Sequence, residues 1–131
     1  MRREPKWLTV EMVKDIHEAQ LRLFGGSFGV RDAGLLESAV ERPKHLFHYG
    51  DNPALFDLAA SLCMGLVKNH PLVDGNKRAA LLSARAFLYI NGQVFEPEEV
   101  DEVRVMLAAA AGEADEALLA RWFRDFSKRR R

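Results

Sequence analysis

Apolar residues recur every three or four positions along most of the chain, the spacing that buries one side of an α-helix. The first such stretch follows Thr9, a suitable N-cap, and ends before Gly25 and Gly26. Its apolar positions are Met12, Val13, Ile16, Ala19, Leu23 and Phe24. The pattern predicts a first amphipathic helix between Thr9 and Gly25.

A second, shorter helix is predicted after Asp32, which is another good N-cap. We expect Pro43 to end it, because the residue before a proline is pushed out of the helical region. The segment from Lys44 to Tyr49 places aromatic residues among two histidines. It is interpreted as an irregular or hairpin-like excursion.

Two longer helices are predicted in the middle of the chain. Asn52 and Pro53 indicate the start of the first, as an N-cap followed by proline at the first helical position. Asn76 is expected to cap the second, Lys77 to Asn91. This helix is apolar nearly all round between 79 and 90, so we predict that it is the buried central element.

The last third of the chain predicts two more helices. Acidic residues between 98 and 102 favour a helix start, because the helix dipole attracts negative charge there. Asp115 is expected to begin the final helix. The segment from Gln93 to Phe95 is consistent with a short extended piece, but no strand signal indicates a sheet. We predict an all-α single domain, residues 1–131, with about six helices around a buried central one.

Composition narrows the class of protein. Apolar residues make up 48% and charged residues 29% of the 131, as in ordinary globular domains. Lysine plus arginine equals aspartate plus glutamate at 19 each, so a dedicated nucleic-acid binder is not expected. Cys63 is the only cysteine, Met1 to Trp7 lacks the apolar core of a signal peptide, and no apolar run is long enough for a membrane span. We expect a cytoplasmic protein.

Residues 70–78, His-Pro-Leu-Val-Asp-Gly-Asn-Lys-Arg, carry the candidate chemistry. The start of the predicted central helix is a natural anion site, where Lys77 and Arg78 add two cationic side chains. Asp74 is suited to hold the magnesium ion that accompanies a nucleotide polyphosphate. His70 is expected on the core side of the preceding helix end, as a general base.

Each of these residues also has a plainer interpretation. A lone histidine is usually a packed core residue, Asp-Gly is usually a turn, and Asn76 is usually only a cap. Lys77 and Arg78 are harder to explain, because cations at a helix N-terminus oppose the dipole. The residues alone leave two interpretations open, a phosphate site and a capped turn between helices.

The segment resembles the motif of the Fic family, His-x-Phe-x-(Asp/Glu)-Gly-Asn-Gly-Arg followed after two residues by a second arginine. The Doc branch of that family has lysine in place of the last glycine and lacks the second arginine. Lys77 and Leu81 match this branch, while Leu72 stands where the family usually has phenylalanine. Further matching positions are His17, Phe24 to Gly26, Gly29 to Ala39, Pro43 and Phe87 to Gly92.

The resemblance implies the toxin of a bacterial toxin–antitoxin pair. Such a toxin transfers the γ-phosphoryl group of ATP to a hydroxyl group of a translation factor, elongation factor Tu, and so halts translation. It implies that His70 is the base, that Asp74 binds Mg²⁺, and that the phosphates of ATP are held by Gly75, Asn76, Lys77 and Arg78.

The same resemblance implies a target-aligning flap at residues 44–50, for which a plain aromatic surface loop is the alternative. The inhibitory pattern Ser/Thr-x-x-x-Glu-Gly/Asn of many Fic proteins is not found, so a separate antitoxin protein is expected to cover the groove. The basic tail 127–131 is interpreted as a solvated, frayed end. Two alternative functions are a Fic-type transferase of AMP and a non-catalytic binding module.

Overall fold

The computed structural model describes residues 3–131 and contains six α-helices and two short strands. In chain order these are α1 (Val10–Phe24), α2 (Ala33–Tyr49), α3 (Leu55–Asn69), α4 (Asn76–Ile90), β1 (Gln93–Phe95), α5 (Glu99–Ala110), α6 (Glu116–Asp125) and β2 (Ser127–Arg129). The predicted all-α fold is confirmed. No helix within residues 3–131 is both long and apolar enough to cross a bilayer.

Three of the predicted helix starts are confirmed by their capping hydrogen bonds. The Thr9 hydroxyl accepts from the Met12 N–H at 3.2 Å, where α1 begins. The Asp32 carboxylate likewise accepts from the Leu35 N–H, and Asp115 accepts from the third residue of α6, each at 2.9 Å. Side-chain capping of this kind satisfies N–H groups that a helix start otherwise leaves unpaired.

The prediction that Pro43 ends the second helix is wrong. Pro43 lies inside α2, which continues to Tyr49, so residues 44–49 are helical rather than an irregular or hairpin-like flap. A proline within a helix costs roughly 3 kcal/mol. Here Pro43 is itself buried, in a helix that packs extensively against α3, and this tertiary burial outweighs the local penalty.

The predicted start of the third helix is also wrong. Asn52 has a positive φ of 51°, and α3 begins only at Leu55 with Ala54 in the N-cap position. The side chain that stabilises this helix start belongs to the helix itself. The Asp57 carboxylate accepts from the Ala54 N–H at 2.8 Å. Pro53 therefore precedes the helix rather than opening it.

Helix α3 is the most enclosed element, whereas the sequence pattern predicted α4. Residues 58–67 of α3 are all buried, and the helix contacts α2, α4, α5 and α6. Gly65 permits close packing on α2, because a Cβ atom there would lie 3.3 Å from the Ala39 Cα. Helix α4 keeps one side open, which is the side that borders the candidate site.

The prediction of a frayed C-terminal tail is wrong, because the tail is paired with a strand. Strand β2 runs antiparallel to β1, and the Arg130 N–H donates to the Gly92 carbonyl at 2.7 Å. The pairing helps to seat Phe95 against Trp122 and Phe123, at ring-centroid distances of 4.9 and 5.0 Å. A strand of three residues carries little periodic signal, so the small sheet could not be read from the pattern.

The buried thiol of Cys63 gives a test of the core. Burial, with a smaller contribution from the charge of Glu116, raises the pKa of Cys63 from 9.0 to about 12. We expect the thiol to resist iodoacetamide at pH 8 in the folded protein and to react readily in denaturant, because the thiolate is the nucleophile. Equal labelling rates under the two conditions would contradict this placement.

The same shift predicts a pH effect on stability. Between pH 9 and 12 the unfolded thiol ionises while the folded thiol keeps its proton. The stability contributed by this group is therefore complete below pH 9 and declines as the pH rises toward 12. Urea unfolding of a Cys63→Ala variant across this range is the control, because its decline with pH should be shallower.

Candidate active site

The connection between α3 and α4 places an open helix N-terminus at the surface. Gly75, with φ 73° and ψ 26°, is the N-cap of α4, and no side chain caps this helix start. The first N–H groups of an α-helix have no acceptor within the helix, and their partial positive charge attracts anions. The α4 N-terminus therefore has the geometry of a phosphate site.

Asn76 is not the predicted N-cap but the first residue of α4, and its side chain points inward. It is 5% exposed. Its amide oxygen accepts from the Leu72 N–H, and its amide nitrogen donates to the Leu72 carbonyl, both at 2.9 Å. The side chain therefore ties the loop together instead of facing a phosphate. Leu72, which replaces the family's usual phenylalanine, is only 1% exposed and packs the inside of this loop.

Asp74 is exposed and held in place by its backbone and its carboxylate. Its carbonyl accepts from the buried His17 Nε2 at 2.8 Å. Its carboxylate accepts from the N–H groups of Gly75 at 2.8 Å and Ser27 at 3.2 Å. Gly26, at φ 127°, permits this approach, because a Cβ there would lie 3.0 Å from Asp74 Oδ2.

The apolar stripe predicts that His70 faces the core, and this prediction is wrong. It is the C-cap of α3 in the left-handed conformation, with φ 49° and ψ 53°, and its side chain is exposed. The left-handed backbone ends the helix and turns the imidazole away from the buried face. A non-glycine residue pays about 1–2 kcal/mol for this conformation, so the surroundings must hold it.

The segment 29–32 supplies that support from outside the motif. The Arg31 guanidinium donates from Nε to the His70 carbonyl at 2.7 Å and from Nη2 to the Asn69 carbonyl at 2.9 Å. The backbone N–H groups of Arg31 and Asp32 both donate to the Pro71 carbonyl, at 2.7 and 3.0 Å. Val30 forms an isolated antiparallel bridge with Leu72.

Lys77 and Arg78 are exposed in the first turn of α4, as predicted. Neither forms an ion pair with any carboxylate in the part of the chain that the structure describes. The Arg78 guanidinium lies over the Phe24 ring, 4.1 Å from its centroid. Two uncompensated cations beside a positive helix end make an attractive site for a polyanion.

A groove of about 670 Å³ extends from this helix start along α4. Its walls come from the end of α1, the loop at 74–75, the exposed side of α4, and α5. At the loop end it is lined by Gln20, Phe24, Asp74, Gly75, Lys77 and Arg78, and further along by Leu81, Leu82, Arg85, Glu102, Val103, Met106 and Leu107. His70 lies outside this lining, on the α3 side of the loop.

Gln20 is a buried polar residue at the loop end of the groove. It is 5% exposed, and its Oε1 has no hydrogen-bond partner among residues 3–131. It packs so closely against Gly75 that a Cβ there would lie 2.5 Å from its Nε2. Gln20 lies in α1 and is close to the motif in space but not in sequence. Sequence spacing therefore could not predict it as part of the site. The same holds for the support that His17 and Arg31 give, although the family resemblance covers both positions.

The fold and the motif geometry define a helical protein with an exposed histidine at one end of a loop and an open helix N-terminus at the other. Residues 7–88 match the Fic/DOC family, so the chain belongs to that family. It is 43% identical over 100 residues to the protein named Toxin Doc from Mycolicibacterium smegmatis, a match covering 75% of this chain and 77% of the relative. It is 35% identical over 99 residues to Protein kinase doc from Escherichia phage P1, again 75% and 77% of the two chains.

These comparisons confirm the predicted resemblance to the Doc branch. The names of the two relatives also confirm the predicted class, a Doc-like toxin with protein kinase activity. Across residues 3–131 the structure brings no three His, Cys, Asp or Glu side chains together into a group that could hold a metal ion.

The geometry of Asn76 predicts a stability effect at the motif itself. Asn76→Ala should lower the free energy of unfolding by about 2 kcal/mol or more, because two buried backbone groups of Leu72 lose their partners. Asn76→Asp keeps the acceptor and should retain part of the stability. Equilibrium unfolding in urea measures both, and a loss under 0.5 kcal/mol (roughly that of a surface substitution) for Asn76→Ala would rule out this anchoring role.

Proposed function

We propose that this protein transfers the γ-phosphoryl group of ATP to a hydroxyl group of a protein target. The single observation that carries the proposal is the open start of α4 in the loop that bears His70. That start has Gly75 as a bare N-cap, Lys77 and Arg78 with no ion pair to any carboxylate of residues 3–131, and Asp74 beside it. The relative named Protein kinase doc supports the reaction class.

The phosphates of ATP bind at the start of α4 in this proposal. The backbone N–H groups of its first turn, together with the Lys77 and Arg78 side chains, donate to the phosphate oxygens. Asn76 contributes through its backbone and through the loop that it stabilises, since its amide is engaged with Leu72. Gly75 contributes the left-handed turn that leaves the helix start uncovered.

Asp74 fits the role of a magnesium ligand. Its carboxylate is exposed, and among the described residues each oxygen accepts one backbone N–H, which leaves lone pairs for a cation. Magnesium in nucleotide sites is usually held by one or two carboxylates together with substrate phosphates and water. When bound, the ion neutralises charge on the phosphates and so supports transfer.

His70 is the general base of the proposed reaction. Its imidazole takes the proton of the acceptor hydroxyl as the acceptor oxygen bonds to the γ-phosphorus. The bond from that phosphorus to the bridging oxygen breaks, and ADP leaves with the electron pair. Phosphoryl transfer depends mainly on alignment and charge neutralisation, which a rigid loop between two helix ends provides.

The proposed target is a translation factor, elongation factor Tu, at a serine or threonine hydroxyl. Its support is the resemblance to the Doc branch, whose motif this chain shares through Lys77 in place of the family's glycine. The C-terminal part of α2, where the family has its flap, is helical here and presents the exposed ring of Tyr49. A target-aligning role for residues 44–50 is proposed for this helical surface rather than for a hairpin.

The proposed partner is a separate antitoxin whose segment lies in the groove between α4 and α5. The name Toxin Doc of one relative supports such a partner. The groove combines apolar walls with the cations of α4 at one end and Glu102, paired to Arg85 at 2.8 Å, toward the other. An amphipathic segment covering it would close the approach to the start of α4.

The proposal predicts which phosphate of ATP reaches the target. Protein incubated with the translation factor and ATP should transfer label from the γ-position and none from the α-position, and the modified peptide should gain one phosphate. His70→Ala is the matched inactive control, with a loss of about 10²–10⁴-fold in rate expected for a missing base. Label from the α-position would instead establish AMP transfer, the alternative function.

The Lys77 side chain is expected to set this outcome. Its charge and bulk occupy the helix start where the glycine form of the motif leaves bare backbone, so Lys77→Gly should lose γ-transfer. Lys14→Gly is the control, because it replaces an exposed lysine outside the groove at a similar helix cost of roughly 1 kcal/mol. Retention of γ-transfer by Lys77→Gly would remove Lys77 from phosphate orientation.

A separate prediction concerns the metal. Asp74→Asn preserves the size of the side chain but substitutes a neutral amide, which is a poorer ligand for a hard cation. We expect weaker ATP binding in the presence of Mg²⁺ and little change in its absence, measured by calorimetry. Equal magnesium dependence in the two proteins would return Asp74 to the role of a turn residue.

A further inference from the structure

Arg31 supports the candidate site from outside the motif, because it makes two hydrogen bonds to the end of α3. Its Nε and Nη2 atoms donate to the carbonyls of His70 and Asn69, at 2.7 and 2.9 Å. These are consecutive carbonyls of the last helical turn, where the helix leaves acceptors unpaired and the dipole favours a cation. The guanidinium therefore fits this position in both geometry and charge.

His70 needs such support because of its backbone. It has a positive φ of 49°, a conformation that residues with a side chain adopt at a cost. The direction of its imidazole follows from that conformation, since the side chain would rotate toward another face if φ became negative. Asn69 is held in turn by a hydrogen bond from its Nδ2 to the Leu35 carbonyl at 2.9 Å.

We infer that Arg31 is a positioning residue for catalysis, which holds the His70 backbone so that the imidazole meets the acceptor hydroxyl. The inference rests on the proposed role of His70 as the base. Arg31 itself touches neither nucleotide nor target in this scheme. Its action passes through the His70 and Asn69 carbonyls, so it governs the rate of transfer and leaves ATP binding to the start of α4.

The side chain of Arg31 can be tested apart from its backbone. The Arg31 N–H bonds to the Pro71 carbonyl, and the Val73 N–H bonds to the Gly29 carbonyl, so a side-chain substitution leaves both contacts of the loop in place. Arg31→Ala removes the guanidinium group and with it both hydrogen bonds to the end of α3. Arg31→Lys keeps the charge, but a single ammonium group lacks the fixed fork that spans two carbonyls.

We expect Arg31→Ala to lower kcat by about 10- to 100-fold while KM for ATP and calorimetric ATP affinity stay near those of the unmutated protein, because a small displacement of a reacting group has effects of this size. The kcat of Arg31→Lys should lie between that of Arg31→Ala and that of the unmutated protein. Added guanidinium at non-denaturing concentration should restore part of the lost rate to Arg31→Ala. Arg104→Ala is the control and should keep full activity. It also removes an exposed arginine, but one whose side chain forms a local ion pair on its own helix.

A second measurement does not depend on kinase activity. The three-bond HN–Hα coupling and the intraresidue NOE of His70, measured by NMR, report whether its φ stays positive. Arg31→Ala should shift this signal, and guanidinium should restore it, even if the unmutated protein proves to transfer no phosphate. An absence of phosphate transfer by the unmutated protein would overturn the proposed kinase activity, but the structural role of Arg31 would remain.

Two outcomes would overturn the inference. One is a kcat for Arg31→Ala within twofold of the unmutated protein. The other is an unchanged His70 NMR signal together with equal losses in ATP binding and rate, which would show a general loss of structure instead of a positioning role.

Discussion

The double hydrogen bond between the Asn76 amide and the Leu72 backbone is the interaction on which the site depends. It joins the first residue of α4 to the middle of the loop that leaves α3, and it is buried. The candidate catalytic and phosphate-binding residues of the motif all lie within two residues of Leu72 or Asn76. If this link is lost, the α3 end with His70 and the α4 start with Lys77 are no longer held in one arrangement.

Three further contacts hold the same loop from other elements. His17 of α1 donates to the Asp74 carbonyl, Gln20 packs against Gly75, and Arg31 binds the end of α3. None of these residues belongs to the nine-residue motif. The loop is therefore held by residues outside the motif as well as by its own buried Leu72 and Asn76. The N-terminal helix is part of the site although it bears no proposed catalytic group.

Much of this arrangement could be predicted from the sequence, because local signals agree with the fold. Thr9, Asp32 and Asp115 are capping residues whose hydrogen bonds reach only three residues along the chain, so the local sequence is enough to indicate them. The motif residues are likewise adjacent in the chain, so their proximity required no knowledge of packing. The Doc-type class followed from this short segment and the order of the surrounding matches.

The errors arose where packing overrides a local preference. Pro43 continues a helix because its buried face binds α3, and His70 leaves the apolar stripe because a left-handed residue ends the helix. The tail pairs with β1 although three residues show no usable period. Contacts between residues far apart in sequence, such as Arg31 with His70, leave no periodic trace and appear only in three dimensions.

The charges at the start of α4 are unfavourable for the stability of that helix. Lys77 and Arg78 stand where the helix dipole disfavours cations, and neither forms an ion pair with a carboxylate of the described residues. Arg78 gains some compensation from the Phe24 ring, but that ring is itself 65% exposed. A fold selected for stability alone would place acidic residues in this first turn, as α5 does with Glu99, Asp101 and Glu102. The contrast between two helix starts in one small protein supports the proposal that an anion binds at the start of α4.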